Sequence, residues 1–156
     1  MLLQIAYHSR NLIRAGEEMT DQVKAIISVA RANNEVDGLT GYLLVDGTWF
    51  VQILEGDESS VRSTYDRIRK DVRHTEVTLI SERRPRARSF PEWSMGGTVR
   101  TEENETIFLR HGIGRDFDPR ALTGPSIVAL AMDLQDQRRA QRAAKPARPS
   151  LQIVPG

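Results

Sequence analysis

Cysteine is absent from this chain of 156 residues. That absence removes disulfides, thiolate metal sites, thiol nucleophiles and any cofactor adduct formed on a cysteine. Histidine is nearly as scarce, and His8, His74 and His111 stand too far apart in sequence to suggest a zinc site. An excess of one charge is missing too: 22 basic residues meet 21 acidic ones for a net +1, which argues against a dedicated nucleic-acid or membrane surface. No apolar run reaches transmembrane length and no secretory leader pattern is visible, so the expected location is the cytoplasm, away from membranes. Asn104-Glu105-Thr106 matches a glycosylation sequon, which carries meaning only in a secreted protein. What is present, 39% hydrophobic and 28% charged residues, is the composition of one ordinary soluble domain with an appendage and enough chain for a real core.

The chain is organised around residues 50–56, Phe50-Val51-Gln52-Ile53-Leu54-Glu55-Gly56, which read as a buried strand. The preceding run, residues 39–45, reads as a second strand, and Asp46-Gly47 between them is the signal for a two-residue hairpin with positive φ at both central positions. That turn predicts pairing of Val45 with Thr48, Leu43 with Phe50 and Gly41 with Gln52. Alternation then puts Leu43, Val45, Phe50, Gln52 and Leu54 on one face, and Tyr42, Leu44, Trp49, Val51 and Ile53 on the other. Both faces are apolar, so both must be covered. Gln52 is the anomaly, since a buried amide without partners costs about 1–3 kcal/mol or more. With Gly41 opposite, it is read either as an amide satisfied by local backbone or as the polar contact of a bound molecule.

Residues 2–9 form a short strand with Leu3, Ile5 and Tyr7 on one face. Thr20 offers an N-cap, and Val23, Ile26, Ile27, Ala30 and Asn34 follow at helical spacing; Asn33-Asn34 are either turn residues at the helix end or a second polar pair on an apolar face. Asp57 caps a second helix with a core face of Val61, Tyr65, Ile68 and Val72. Arg67, Asp71 and His74 at i, i+4 and i+7 line its flank as a polar ladder, which a solvated salt-bridge edge also explains. Glu76 to Ile80 reads as strand, residues 83–88 as a basic loop, and residues 90–96 lead into a last strand on which Trp93 and Met95 share a face. This order is the ferredoxin-like βαββαβ plan of an α+β protein with one added strand. The second sheet face needs the C-terminal helices, and residues 125–134, with Pro125 at a tolerated first position, are the lid. From Gln135 to Lys145 the helix turns polar, and Pro146 and Pro149 end it. The expected organisation is a domain over residues 1–98, a helical extension over 99–145 and a loose tail over 146–156.

With these residues laid out, the sequence resembles the BLUF family of flavin-based blue-light sensors, in its short single-domain form. The likeness covers residues 3 to about 97 and rests on Tyr7-His8-Ser9, Asn33-Asn34 followed by Asp37-Gly38-Leu39-Thr40-Gly41, residues 50–56, Tyr65 through Arg67-Ile68 to Asp71-Val72-Arg73-His74, and Phe90-Pro91-Glu92-Trp93-Ser94-Met95. It implies a flavin bound between the two helices, FAD by family habit, with FMN and riboflavin as alternatives. By the same resemblance Tyr7 donates an electron and proton, Gln52 changes its hydrogen bonding afterwards, and Trp93 and Met95 exchange places near it. Asn34, with Asn33 beside it, holds the pyrimidine edge; Ile26 and Ile68 wall the ring; Arg67, Asp71 and His74 lie near the pyrimidine ring, ribityl chain or phosphate.

A rival reading is an RNA-binding module of the same plan, because residues 47–53 faintly resemble the aromatic strand of an RNA recognition motif. The basic lead residue and central glycine of that signature are missing, and Trp49 and Phe50 point to opposite faces. An acylphosphatase-type hydrolase lacks its phosphate-cradling loop after the first strand. Residues 99–156 are too short for a catalytic output, so no enzyme activity is expected of the chain. The resemblance implies homo-oligomers and signalling to a separate protein effector, with a cyclic-nucleotide enzyme as one candidate. Arg138, Arg139 and Arg142 are the expected contact surface.

Overall fold

A computed structural model describes residues 1–13, 17–92 and 94–144. The elements run β1 (Leu2–Asn11), α1 (Glu17–Asp37), β2 (Thr40–Val45), β3 (Trp49–Asp57), α2 (Glu58–Ile68), β4 (His74–Arg83), β5 (Gly96–Val99), α3 (Glu105–Arg110) and α4 (Gly124–Ala144). Single turns of 3-10 helix at Glu102–Asn104 and Pro119–Ala121 flank α3. The sheet order is β4-β1-β3-β2-β5, antiparallel throughout except for β5, which lies parallel beside β2. This is the expected ferredoxin-like βαββαβ sheet with one strand added at its edge.

Each sheet face carries its own core. On one face Leu3, Ile5, Leu43, Val45, Phe50 and Leu54 pack against Met19 and Val23 of α1 and Val61 of α2. On the other, Ala6, Tyr42, Leu44, Val51 and Ile53 meet Ile107 and Phe108 of α3 and Ile127, Leu130, Ala131 and Leu134 of α4. The C-terminal lid is therefore where the apolar run of residues 125–134 put it. It reaches one residue into the stretch expected to be polar, because Gln135 is also buried. Residues 145–156, including Pro146 and Pro149, lie outside the described residues.

Four local expectations are corrected. The hairpin pairs Val45 with Phe50, Leu43 with Gln52 and Gly41 with Leu54, two positions from the predicted register. The turn is wider because the Asp46 carboxylate accepts the backbone N–H groups of Thr48 and Trp49 at 2.8 and 2.6 Å, and Gly47 is not among the positive-φ glycines. A shift of two leaves every face assignment intact, since side chains repeat every two residues. Gly41 thus faces no gap beside Gln52: a Cβ there would stand 2.0 Å from the Ile53 carbonyl oxygen, so the glycine serves close backbone approach. Helix α1 starts at Glu17 rather than after Thr20, because its apolar stripe already begins at buried Met19.

Helix α2 ends at Ile68, so Val72 is 87% exposed rather than core, and Asp71 and His74 do not extend a helical ladder from Arg67. The stop is made locally. The Ile68 carbonyl accepts from the Asp71 N–H at 3.0 Å and from His74 Nε2 at 2.7 Å, which closes the helix end and starts β4. Asp57 does sit at the N-cap of α2, but its carboxylate bonds the Ser59 hydroxyl and the chain's amino terminus.

A buried carboxylate fastens this scaffold. Glu55 on β3 is 0% exposed and accepts from Gln4 Nε2 at 3.0 Å, Thr40 Oγ1 at 3.4 Å, Ser89 N at 2.9 Å and Phe90 N at 2.5 Å. It joins three strands to the segment that leads into β5. Glu55→Ala strands two backbone N–H groups, at about 1–3 kcal/mol each. Urea denaturation of this variant is expected to show a stability loss of roughly 2–6 kcal/mol; a loss below about 1 kcal/mol would contradict the role assigned to the carboxylate.

Candidate functional site

Between α1, α2 and the sheet lies a cavity of about 260 Å³. Its floor is Tyr7 of β1, Leu43 of β2, and Phe50, Gln52 and Leu54 of β3; α1 contributes Ile26, Val29, Ala30, Asn33 and Asn34; α2 and the turn after it contribute Thr64, Arg67, Ile68, Asp71 and Arg73, and β4 its first residue, His74. Apolar side chains thus come from two helices and the sheet while amides and charged groups gather at the edges. Such a lining suits a flat heteroaromatic ring with hydrogen-bonding groups on its rim.

The pairing of β1 with β3 sets Tyr7 directly opposite Gln52, and the Tyr7 hydroxyl donates to Gln52 Oε1. The other end of the amide is weakly held: Nε2 donates to the thioether Sδ of Met95 at 3.5 Å, and sulfur is a poor acceptor. Gln52 is 5% exposed, so solvent supplies little instead. Burial, with smaller contributions from nearby Tyr65 and Asp71, pushes the Tyr7 phenol well above the usual tyrosine range. Tyr7 is consequently a neutral phenol with its proton aimed at an amide oxygen.

Asn34 is buried, and its Nδ2 donates to the Ser94 carbonyl at 2.6 Å. Its neighbour Asn33 is exposed at the cavity rim. His74 reaches the cavity with both ring nitrogens occupied, Nε2 on the Ile68 carbonyl and Nδ1 paired with Ser9 Oγ at 2.7 Å. It therefore serves as a fixed wall, edge-on to Tyr7 and Phe50 with centroids 6.4 and 6.0 Å away. Asp71 is gripped by Arg73 through Nε at 2.9 Å and Nη2 at 2.5 Å, and this pairing pulls its carboxyl down to about 2. Arg67 lies 3.9 Å from Asp37 across the gap between the helices.

The cavity gathers Tyr7, Ile26, Asn33, Asn34, Gln52, Arg67, Ile68, Asp71 and His74, and Met95 stands behind Gln52. Trp93 lies outside the described residues. Sequence reasoning missed Arg73, whose spacing of two from Asp71 was the available signal, and Ser9, which steadies His74. Trp49 and Phe50 are 8% and 4% exposed on opposite faces, which removes the stacking platform that an RNA-binding reading requires.

Fold and site together define a ferredoxin-like α+β module with a cavity suited to a small molecule and a Tyr-Gln pair on the cavity floor. A family model described as "Sensors of blue-light using FAD" matches residues 2–96, and the chain belongs to this family, BLUF. It is similar to the photoactivated adenylate cyclase subunit beta of Euglena gracilis, 40% identical over 87 residues, covering 55% of this chain and 10% of that protein. It is also similar to the blue light- and temperature-regulated antirepressor BluF of Escherichia coli, 34% identical over 96 residues, 61% of this chain and 23% of that one. The chain thus spans about a tenth to a quarter of these curated relatives. Among solved structures, BlsA in its photo-activated state aligns with a TM-score of 0.72 at 28% identity over 86% of this chain and 94% of that one. The dark state of BlrB aligns at 0.66 and 31% identity over 90% and 96%. Flavin-based light sensing is the activity that this membership assigns, and the amides, cations and apolar walls of the cavity fit a flavin.

All three tyrosines, Tyr7, Tyr42 and Tyr65, are shifted upward, each chiefly by burial. A phenol raised in the folded state adds stability that is complete below the unfolded value of about 10 and is lost as pH rises through the folded values. Ultraviolet titration is therefore expected to show less than half of the tyrosine ionised at about pH 10, with buried Tyr7 ionising last. Half-ionised tyrosine at that pH in protein with an intact fold would contradict the burial assigned here.

Proposed function

We propose that this chain is a blue-light photoreceptor that binds FAD non-covalently and reports illumination by rearranging the hydrogen bonds of Tyr7, Gln52 and Met95. The observation that carries the reading is the Gln52 amide on the cavity floor, bonded strongly by Tyr7 at one end and weakly by Met95 at the other. Lack of cysteine leaves no thiol for a covalent adduct. The bound flavin supplies blue absorption and an excited state able to take up an electron.

The chain's own residues do the rest. Tyr7, kept neutral by burial, is the electron donor, and Gln52 Oε1 is already in place to receive its proton. A changed Gln52 amide then presents a different donor and acceptor to Tyr7, to the cavity and to Met95. Asn34, anchored on Ser94, and its neighbour Asn33 hold the polar edge of the ring; Ile26 and Ile68 bound its faces; Arg67 and Asp71 border the outer part of the cofactor, and His74 forms a wall. Trp93 is included in the switch by family likeness alone.

Exchange of one or two hydrogen bonds supplies about 1–3 kcal/mol, at about 0.5–1.5 kcal/mol each. Near-complete reversal of a two-state equilibrium needs about 5.5 kcal/mol, so the output is a partial bias. We infer that the signal passes to a separate protein effector. The names of curated relatives, photoactivated adenylate cyclases and an antirepressor, support enzymes of cyclic-nucleotide metabolism and repressors as effector classes. Homo-oligomers and a cytoplasmic setting belong to the same proposal; among the described residues no helix is long and apolar enough to cross a membrane.

Purified protein is expected to show oxidised flavin bands that shift reversibly to the red under blue light. Tyr7→Phe and Gln52→Leu should retain flavin and lose the shift. The extracted chromophore should co-migrate with FAD; migration with FMN or riboflavin would revise the cofactor, and protein that takes up no flavin would contradict the reading.

A further inference from the structure

Four arginines converge on a second, smaller cleft: Arg31 from α1, and Arg138, Arg139 and Arg142 from α4, beside Gly96 and Gly97 of β5. The α4 residues, with Gln135, stand at i, i+3, i+4 and i+7 and so form one stripe of the helix. Three of these side chains grip the stretch leading into and through the start of β5. Arg31 Nε donates to the Met95 carbonyl at 2.8 Å, Arg138 Nη1 donates to the Gly97 carbonyl at 2.5 Å, and Arg139 pairs with the Glu92 carboxylate. The same stretch contacts the flavin cavity through Met95 Sδ on Gln52 and the Ser94 carbonyl on Asn34. One wall of the arginine cleft is thus the segment that touches the switch.

We propose that this cleft docks an acidic segment of a partner protein and that illumination changes its affinity through the stretch carrying Glu92, Ser94, Met95 and Gly97. The inference rests on the photoreceptor reading, which names the switch that displaces this stretch. Guanidinium groups match carboxylates in a planar, two-pronged geometry. Glu92 shows the ligand chemistry directly, as a carboxylate presented to Arg139 from the turn before β5. That pair is exposed, with side chains 50% and 71% accessible, so water screens it and a partner's Asp or Glu can replace Glu92 at little cost. The Met95 and Gly97 carbonyls are engaged by Arg31 and Arg138, which fixes these two guanidinium groups beside the cleft. A net charge of +1 provides no extended field for a polyanion, whereas a local arginine cluster suffices for a short acidic peptide. Linkage makes the coupling reciprocal, so a ligand whose affinity depends on this stretch must in turn bias it.

The test is a fluorescence anisotropy titration of a labelled deca-glutamate peptide with flavin-loaded full chain, in the dark and under continuous blue light, with the flavin spectrum recorded in the same cuvette. The expected result is saturable binding that weakens at least tenfold in Arg139→Glu and in Arg142→Glu while both variants keep the wild-type red shift. Dark and lit affinities should differ at least threefold. Absent binding, binding that survives both charge reversals, or equal affinities beside a full flavin shift would overturn the proposal. Tighter binding of a single-stranded oligonucleotide of equal charge would overturn it in favour of nucleic acid. Absence of any flavin shift in the wild-type chain would instead overturn the photoreceptor reading, and the light coupling with it.

Discussion

A glutamine amide inside a sheet has few ways to be satisfied, and the structure depends on how Gln52 solves this. Its strand, β3, is paired with β1 on one side and β2 on the other, so neighbouring backbone groups are already engaged in the ladders. Partners must therefore be side chains. Tyr7 is directly opposite in the β1–β3 register and Met95 arrives from the segment before β5. A slip of one residue in either strand would turn one of these groups to the opposite face and leave a buried amide and a buried phenol unpaired.

The surroundings hold that geometry while leaving one end of the amide free to change. Glu55, three residues further along β3, ties the approach to the β5 segment through the Ser89 and Phe90 backbone, and Asn34 holds the Ser94 carbonyl. His74 is locked by Ser9 and Ile68 and closes the cavity without offering a free nitrogen. Against these charge-assisted and backbone bonds, the contact of Gln52 Nε2 with the Met95 thioether is the weakest link. A disturbance of the amide is passed most easily along that contact to the stretch that α4 grips through Arg138 and Arg139.

Much of this was legible in the order of residues. Alternation along residues 42–54 separated the two sheet faces correctly, because the period of two survives a register error of two. The run of residues 125–134 declared the lid through its continuous apolarity. What escaped was local competition between side chain and backbone. The Asp46 carboxylate widened the hairpin turn, and His74 with the Asp71 N–H ended α2 at Ile68, neither of which periodicity encodes. Gly41, expected opposite Gln52, pairs with Leu54 instead, and its role is to admit the Ile53 carbonyl. The site residues were brought forward by family likeness; the pattern alone left Gln52, Asn34 and the Arg67, Asp71, His74 set open to ordinary structural explanations. Glu55 inside a strand and Arg73 two residues from Asp71 were given no role, since periodicity does not show which partners a charged side chain takes.

The central claim is that the Gln52 amide, held between a neutral Tyr7 phenol and the Met95 thioether, is the group that light rearranges. Light-minus-dark infrared difference spectroscopy of flavin-loaded protein, with glutamine side-chain amides isotopically labelled, tests it most directly. The account predicts difference bands that move with the label in the wild type and vanish in Gln52→Leu. Difference bands that ignore the label, in protein that still shows the full flavin shift, would contradict it.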